Sequence, residues 1–275
     1  MDLNQLDTLI SQFSLTKKMP ALFLGHGSPM NAIEENQFVR QFRKIATSIP
    51  KPNSIICISA HWYTNGTKVT AMNFPSTIHD FKGFPKKLYD IQYNAPGNPK
   101  LAQLTQNLLF PFSINLDHDW GLDHGTWSVI KHLYPNADIP IIQLSIDYNK
   151  STEYHFKLAQ KLQKLRERGI LIIGSGNIIH NLHLLDFKNI NKIDYGYDWA
   201  LEAFNTLNEY LLNGNYKALI EYEKKEKFLR LAIPTPDHFL PLLYILGLQD
   251  KNENLSLFNN HLVGGSLSMT SVKIG

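Results

Sequence analysis

Short runs of apolar residues alternate along the chain with stretches whose apolar positions recur every three or four residues. This is the pattern of strands alternating with amphipathic helices. Residues 21–24, 54–59, 139–146 and 170–173 are apolar almost throughout, as strands covered on both faces should be. Residues 68–72 offer a further strand. Between them, 35–47 carries Phe38, Phe42 and Ile45 on one side, and 101–110 carries Leu101, Leu104 and Leu108. The stretch 152–168 carries Leu158, Leu162 and Leu165, and Gly169 ends it as a C-terminal cap. Helices over 199–212 and near 237–246 follow, and 264–274 reads as an edge strand. The alternation predicts an α/β fold: a single domain over residues 1–275, with a central mixed, mainly parallel sheet flanked by helices. No repeat, low-complexity tract or linker interrupts it.

Composition narrows the function classes. The chain has 275 residues, 43% of them apolar, enough for a sizeable core. Its net charge of +3 is spread along its length, so no nucleic-acid partner is expected. Cys57 is the only cysteine, which excludes an internal disulfide and a cysteine zinc site. It sits within SIICIS and reads as a small packed hydrophobe. Residues 1–18 lack a long apolar run; Leu3, Leu6, Ile10 and Phe13 suggest a short peripheral helix rather than a signal or a membrane span. A cytoplasmic protein without a membrane partner is expected, and a monomer, since one domain of this size closes its own core. The stretch 74–99 holds Pro75, Pro85, Pro96 and Pro99 with aromatic residues between them, the composition of a candidate lid loop.

The eleven histidines are unevenly placed. His26 follows the first strand in GHGSP, His61 follows the second in ISAHW, and His180 follows another in GSGNIIHN. In open α/β sheets the functional crevice lies beyond the carboxyl ends of the strands, so the three can converge. Imidazole is the commonest protein metal ligand and suits zinc, iron, copper or nickel. The glycines beside His26 and before His180 would let backbone approach a bound atom. His238 stands at a helix start in PTPDHFLP, and His124 lies in WGLDHGTW, a loop-like stretch walled by aromatics. Trp62 and Trp127 offer faces for a flat ring, and His79 in TIHDF could reach the pocket from the lid.

Taken in order, LFLGHGSPM, ISAHW, TIHDFKGFP, WGLDHGTW, GSGNIIHN, PTPDHFLPLLYILG and GGSLSM span residue 21 to the C-terminal strand. The chain resembles the 4,5-DOPA extradiol dioxygenase family, within the class III (LigB-type) ring-opening dioxygenases. The resemblance implies an α/β fold with one metal site. It carries metal binding to His26 and His61, a ligand or acid/base role to His180, and a ligand role to His238, where protocatechuate-type relatives have glutamate. An all-histidine set departs from the usual two-histidine, one-carboxylate iron site, so Fe(II) for activity and Zn(II) as the bound ion both stay open. Catechol and O₂ would be the partners, and a histidine of near-neutral pKa would move the protons. His124 takes that role here, with His180 as its rival. A zinc-dependent hydrolase and a non-catalytic metal-binding protein are the competing readings.

Overall fold

The computed structural model describes residues 10, 11 and 13–275. Its centre is a six-stranded sheet of β1 (Ala21–Gly25), β2 (Ser54–Ser59), β3 (Ile141–Gln143), β4 (Ile170–Gly176), β5 (Leu255–Phe258) and β6 (Ser271–Ile274). Their order is β3-β2-β4-β1-β6-β5. The first four run parallel, and β6 and β5 add antiparallel on one side. The sheet is mixed and mainly parallel, as the sequence predicts.

Each parallel strand is buried on both faces, and alternate residues serve opposite cores. Phe23, Ile56, Ile58 and Ile172 face one cluster, closed by helices α4 (Thr152–Gln160) and α6 (Leu240–Gly247). Leu22, Leu24, Ile55, Cys57 and Ile173 face the other, closed by α1 (Gln37–Ser48) and α3 (His124–Leu133). Helices α2 (Pro99–Leu108) and α5 (Asp198–Leu212) pack outside these. α6 is apolar on every side and wholly buried, the composition of a helix enclosed by its own protein. None of the helices in the described residues is long and apolar enough to cross a membrane.

Several expectations are corrected. The strand read over 264–274 narrows to β6, which lies inside the sheet between β1 and β5; β5, whose pattern is half exposed, forms the edge. β4 does not stop at residue 173 but runs on through Gly176, pairing with Gly25 of β1. The helix over 152–168 becomes α4 followed by a tighter turn over Gln163–Arg168, with Gly169 in the left-handed conformation at φ 73°. Residues 67–70 pair with Ile114–Asp117 in a small separate sheet. Only the first half of WGLDHGTW is irregular: Asp123 caps α3, which begins at His124. Of the N-terminal segment, Leu3 and Leu6 lie outside the described residues, Ile10 is buried, and Phe13 packs on the same core.

Candidate metal centre

Because β1, β2 and β4 run parallel in close register, their carboxyl ends finish side by side. Ladder pairing extends past the strands: His26 N–H donates to Gly176 O at 3.1 Å and Ala60 N–H to Ser175 O at 3.0 Å. This places His26 and His61 together, with their Nε2 atoms 3.3 Å apart. His124 enters from the start of α3, its ring centroid 3.8 Å from that of His61. His238, in the turn before α6, stands 5.2 Å from His26 and 5.0 Å from His61 between centroids. His180 stacks on His238 at 3.5 Å, nearly parallel. All five line one cavity of about 430 Å³. A roomier cleft of about 870 Å³, bordered by Arg43, Lys131 and His132, touches none of them.

The tightest group of donor atoms is His26, His61 and His124, all within 4.8 Å of one another. His238 and His180 stand on the facing wall. The trio therefore includes the residue expected to move protons, while two residues expected as ligands sit farther out.

Four of the five rings have a polar neighbour at Nδ1. Ser175 Oγ spends its one proton on Gly125 O at 2.5 Å, so at 3.1 Å it accepts from His26 Nδ1–H. Nε2 of His26 is then unprotonated. Asp80 Oδ2 lies 3.2 Å from His61 Nδ1 and 3.0 Å from His124 Nδ1, and Asp80 Oδ1 accepts the His124 backbone N–H at 2.8 Å. Asp237 pairs with His238 Nδ1. A carboxylate or hydroxyl behind a ring fixes its tautomer and leaves the other nitrogen free to ligate.

Where His61 carries its proton on Nδ1, 3.2 Å from Asp80 Oδ2, its Nε2 is unprotonated as well. Two such lone pairs facing each other at 3.3 Å repel, unless a cation lies between them. Two nitrogens each about 2.1 Å from one tetrahedral ion would be about 3.4 Å apart. The residues therefore fit a divalent metal, and an all-imidazole donor set suits zinc or iron.

Electrostatics agree with neutral ligands. Burial, and then the neighbouring imidazoles, hold His26 and His61 well below the ordinary histidine pKa. Burial, followed by His238, takes His180 down to about 3. Asp80 is pushed up by burial, yet its hydrogen bond and charge attraction to His124 outweigh that and leave it below the usual carboxylate range. Fully buried Asp123 moves the other way, raised by burial and by Asp80. Its carboxylate accepts from Ser59 Oγ at 2.7 Å, Thr126 N at 3.0 Å and Gln143 Nε2 at 2.7 Å. Asp123 thus ties the end of β2 to the start of α3 and sets where His124 begins.

The glycines act differently from expectation. A Cβ on Gly25 would strike the Met269 backbone at 2.5 Å, and one on Gly125 would lie 2.8 Å from His61 Cδ2. One on Gly176 would sit 2.1 Å from the His238 carbonyl oxygen. They admit neighbouring chain rather than a bound atom.

Trp62, His79 and Trp127 do not line the cavity. Trp62 is buried and stacks flat on Trp120. His79 Nε2 meets Ile91 O at 3.0 Å, and Trp127 Nε1 donates to Ile78 O at 2.8 Å. The aromatic faces are instead Phe81 and Phe84 of the same 74–99 stretch, with Phe81 packed edge-on against His124. Asp80, Ser175 and Asp237, which complete the site, lie inside the motifs TIHDFKGFP, GSGNIIHN and PTPDHFLP, beside or near a histidine in each.

Comparison with known proteins places the chain in a family. Residues 20–269 match the family described as the catalytic LigB subunit of aromatic ring-opening dioxygenase. A protein of Escherichia coli (strain K12) named 4,5-DOPA dioxygenase extradiol is 46% identical, over 94% of this chain and 95% of its own. One of the same name from Beta vulgaris is 38% identical, over 91% and 94%. The crystal structure of an uncharacterized protein from E. coli K12 superposes with a TM-score of 0.80 at 41% identity, covering 94% of this chain and all of that one. The chain belongs to the LigB family and is an extradiol aromatic ring-opening dioxygenase.

Proposed function

We propose that the chain opens a catechol ring beside its two hydroxyls with O₂, at one divalent metal held by His26, His61 and His238, with His180 stacked behind as a fourth neutral imidazole. The observation that carries this reading is the 3.3 Å approach of the His26 and His61 Nε2 atoms in a largely apolar cavity. When bound, the metal would take up both catechol oxygens and O₂ and lower the catechol's pKa. Fe(II) would support turnover, and Zn(II) could occupy the same donors without it. Family membership favours this chemistry over the zinc-hydrolase and non-catalytic alternatives.

The chain's own residues do the rest. His26 and His61 are kept neutral by burial and stay available as donors. His124 is the one site imidazole that shares a carboxylate with a ligand: Asp80 steadies a proton on Nδ1, leaving Nε2 to exchange one with a substrate hydroxyl. Phe81 and Phe84 exclude water from the ring. A second reading rests on the closeness of His26, His61 and His124, which would make His124 the third ligand and pass the proton role to His180.

Anaerobic loading with Fe(II), followed by L-DOPA or simple catechols and air, should give O₂ uptake matched to a yellow ring-opened product. No uptake with any catechol would overturn the reading. Zinc titration of His238→Gln and His124→Gln separates the ligand sets. His238→Gln should lose affinity at least tenfold and His124→Gln should keep it, and the reverse result would establish the second set.

A further inference from the structure

Asp123 does not line the cavity, yet its carboxylate is wholly buried beside it, as are Ser59, Thr126 and Gln143 around it. Oδ1 accepts from Ser59 Oγ at 2.7 Å and Thr126 N at 3.0 Å. Oδ2 accepts from Gln143 Nε2 at 2.7 Å and Trp120 Nε1 at 3.4 Å. The donor roles are fixed. Gln143 Oε1 is spent on the Asp123 backbone N–H at 3.0 Å, so its amide nitrogen faces the carboxylate. Ser59 Oγ accepts the His61 backbone N–H at 3.3 Å and directs its own proton at Asp123. Both carboxylate oxygens meet donors alone, which leaves no acceptor for a carboxyl proton, so Asp123 is ionised.

Among the described residues no lysine or arginine reaches this charge, and its four donors are neutral. A buried anion without a cation is strongly disfavoured. Buried Arg166, by contrast, has Glu253 against it. Asp123 stands close behind the imidazoles. The point that a Gly125 Cβ would occupy lies 3.3 Å from Asp123 Oδ1, 2.4 Å from Ser59 Oγ and 2.8 Å from His61 Cδ2. On its other side Asp123 caps the helix that begins with His124.

We propose, resting on the metal-centre reading above, that Asp123 is a positioning residue whose buried charge balances the metal's. Neutral imidazoles leave a divalent ion its full charge, whereas the usual iron site carries one carboxylate among its ligands. Asp123 supplies that negative charge one layer out, through Ser59 behind His61 and through the start of α3 behind His124.

The test measures zinc affinity by chelator competition, and Tm with and without zinc, for the parent, Asp123→Asn, and Asp123→Asn combined with Gln143→Glu. The single variant keeps an oxygen for Ser59 and Thr126 and deletes the charge. The exchange carries the charge to position 143 and restores a donor–acceptor match between the two side chains. Asp123→Asn should weaken zinc binding about 10- to 100-fold. It should lower the Tm of the zinc-loaded protein more than that of the metal-free protein. The exchange should return zinc affinity to within about threefold of the parent's. Equal losses of Tm with and without zinc, at unchanged zinc affinity, would show a merely structural role and overturn the proposal. So would an exchange that folds yet binds zinc at least tenfold more weakly than the parent. If Asp123→Asn does not fold, the exchange decides by the same limits. A parent that binds no zinc would instead remove the reading on which the proposal rests.

Discussion

Gly176→Ala tests how the fold places His238. Gly176 is the last residue of β4, paired with Gly25, and its missing side chain leaves room for the turn that carries His238. An added Cβ would stand 2.1 Å from the His238 carbonyl oxygen and 3.1 Å from its carbon. Ordinary contact needs about 3.4 Å, so the turn would have to retreat by about 1.3 Å. It cannot swing freely, because the same carbonyl accepts the Asn177 N–H at 3.0 Å and α6 begins two residues later. Overpacking of this kind costs about 1–3 kcal/mol. Loss of the Asn177 bond adds about 1 kcal/mol. The total corresponds to a fall in Tm of roughly 5–10 °C.

The displacement should also reach the metal. A donor moved by about 1 Å is outside the tolerance of a preorganised site, which is near 0.5 Å. Zinc affinity, read by competition with a chromophoric chelator, should fall at least tenfold. Gly174→Ala is the control: its Cβ would meet Pro241 O at 2.5 Å, in the same strand but away from His238. That variant should lose stability and keep its zinc affinity within about threefold. If Gly176→Ala melts and binds zinc like the parent, the packing argument fails. If it melts early yet binds zinc normally, His238 leaves the ligand set.

Asp80→Asn should weaken metal binding about 10- to 100-fold, the usual cost of losing a partner behind a ligating histidine, and should shift the pH profile of turnover through His124; an unshifted profile would exclude Asp80 from positioning that ring. Glu253→Gln should cost about 3–5 kcal/mol, visible as an early urea midpoint, because it strips the paired carboxylate from fully buried Arg166, held at 2.8 and 2.5 Å; a midpoint close to the parent's would show that Arg166 finds another partner. Burial lowers buried His155 to about 4, against about 6.5 unfolded, so its contribution is nil above pH 6.5 and turns against folding as pH falls towards 4, by about 3 kcal/mol. In metal-free protein, His155→Gln should therefore flatten the loss of stability between pH 6.5 and 4, and an unchanged slope would assign that loss to the site histidines.

Much of this site was legible because its signals are local. GHGSP, ISAHW and GSGNIIHN each end an apolar run, and parallel strands must bring such ends to one edge. The alternation that predicts the sheet is equally local, which is why β1 and β2 emerge from it almost residue by residue, and β4 in its first four residues. The position of β6 is not local: SVKI reads the same at an edge or inside, and only pairing with both β1 and β5 decides it. The start of α3 was obscured because His124-Gly125-Thr126 has weak helix propensity. Asp123 Oδ1, held by Ser59 and capping Thr126, overrides that weakness.

The roles of the carboxylates behind the rings were illegible for a different reason. Asp80 lies 44 positions before His124 and 19 after His61, within a proline-rich stretch that carries no periodicity. Its role exists only because the chain folds back to set one carboxylate against both Nδ1 atoms. Yet a need for such groups follows from the histidines themselves. Five imidazoles in one cavity cannot all be charged, and burial drives His26, His61 and His180 neutral. A neutral ring still has two tautomers, and only one of them points a lone pair at the shared centre. Ser175, Asp80 and Asp237 each select that tautomer from outside the cluster. Convergent histidines at strand ends therefore justify a directed search for the polar groups behind their rings, and here the motifs themselves carry them: Asp80 in TIHDFKGFP, Ser175 in GSGNIIHN and Asp237 in PTPDHFLP.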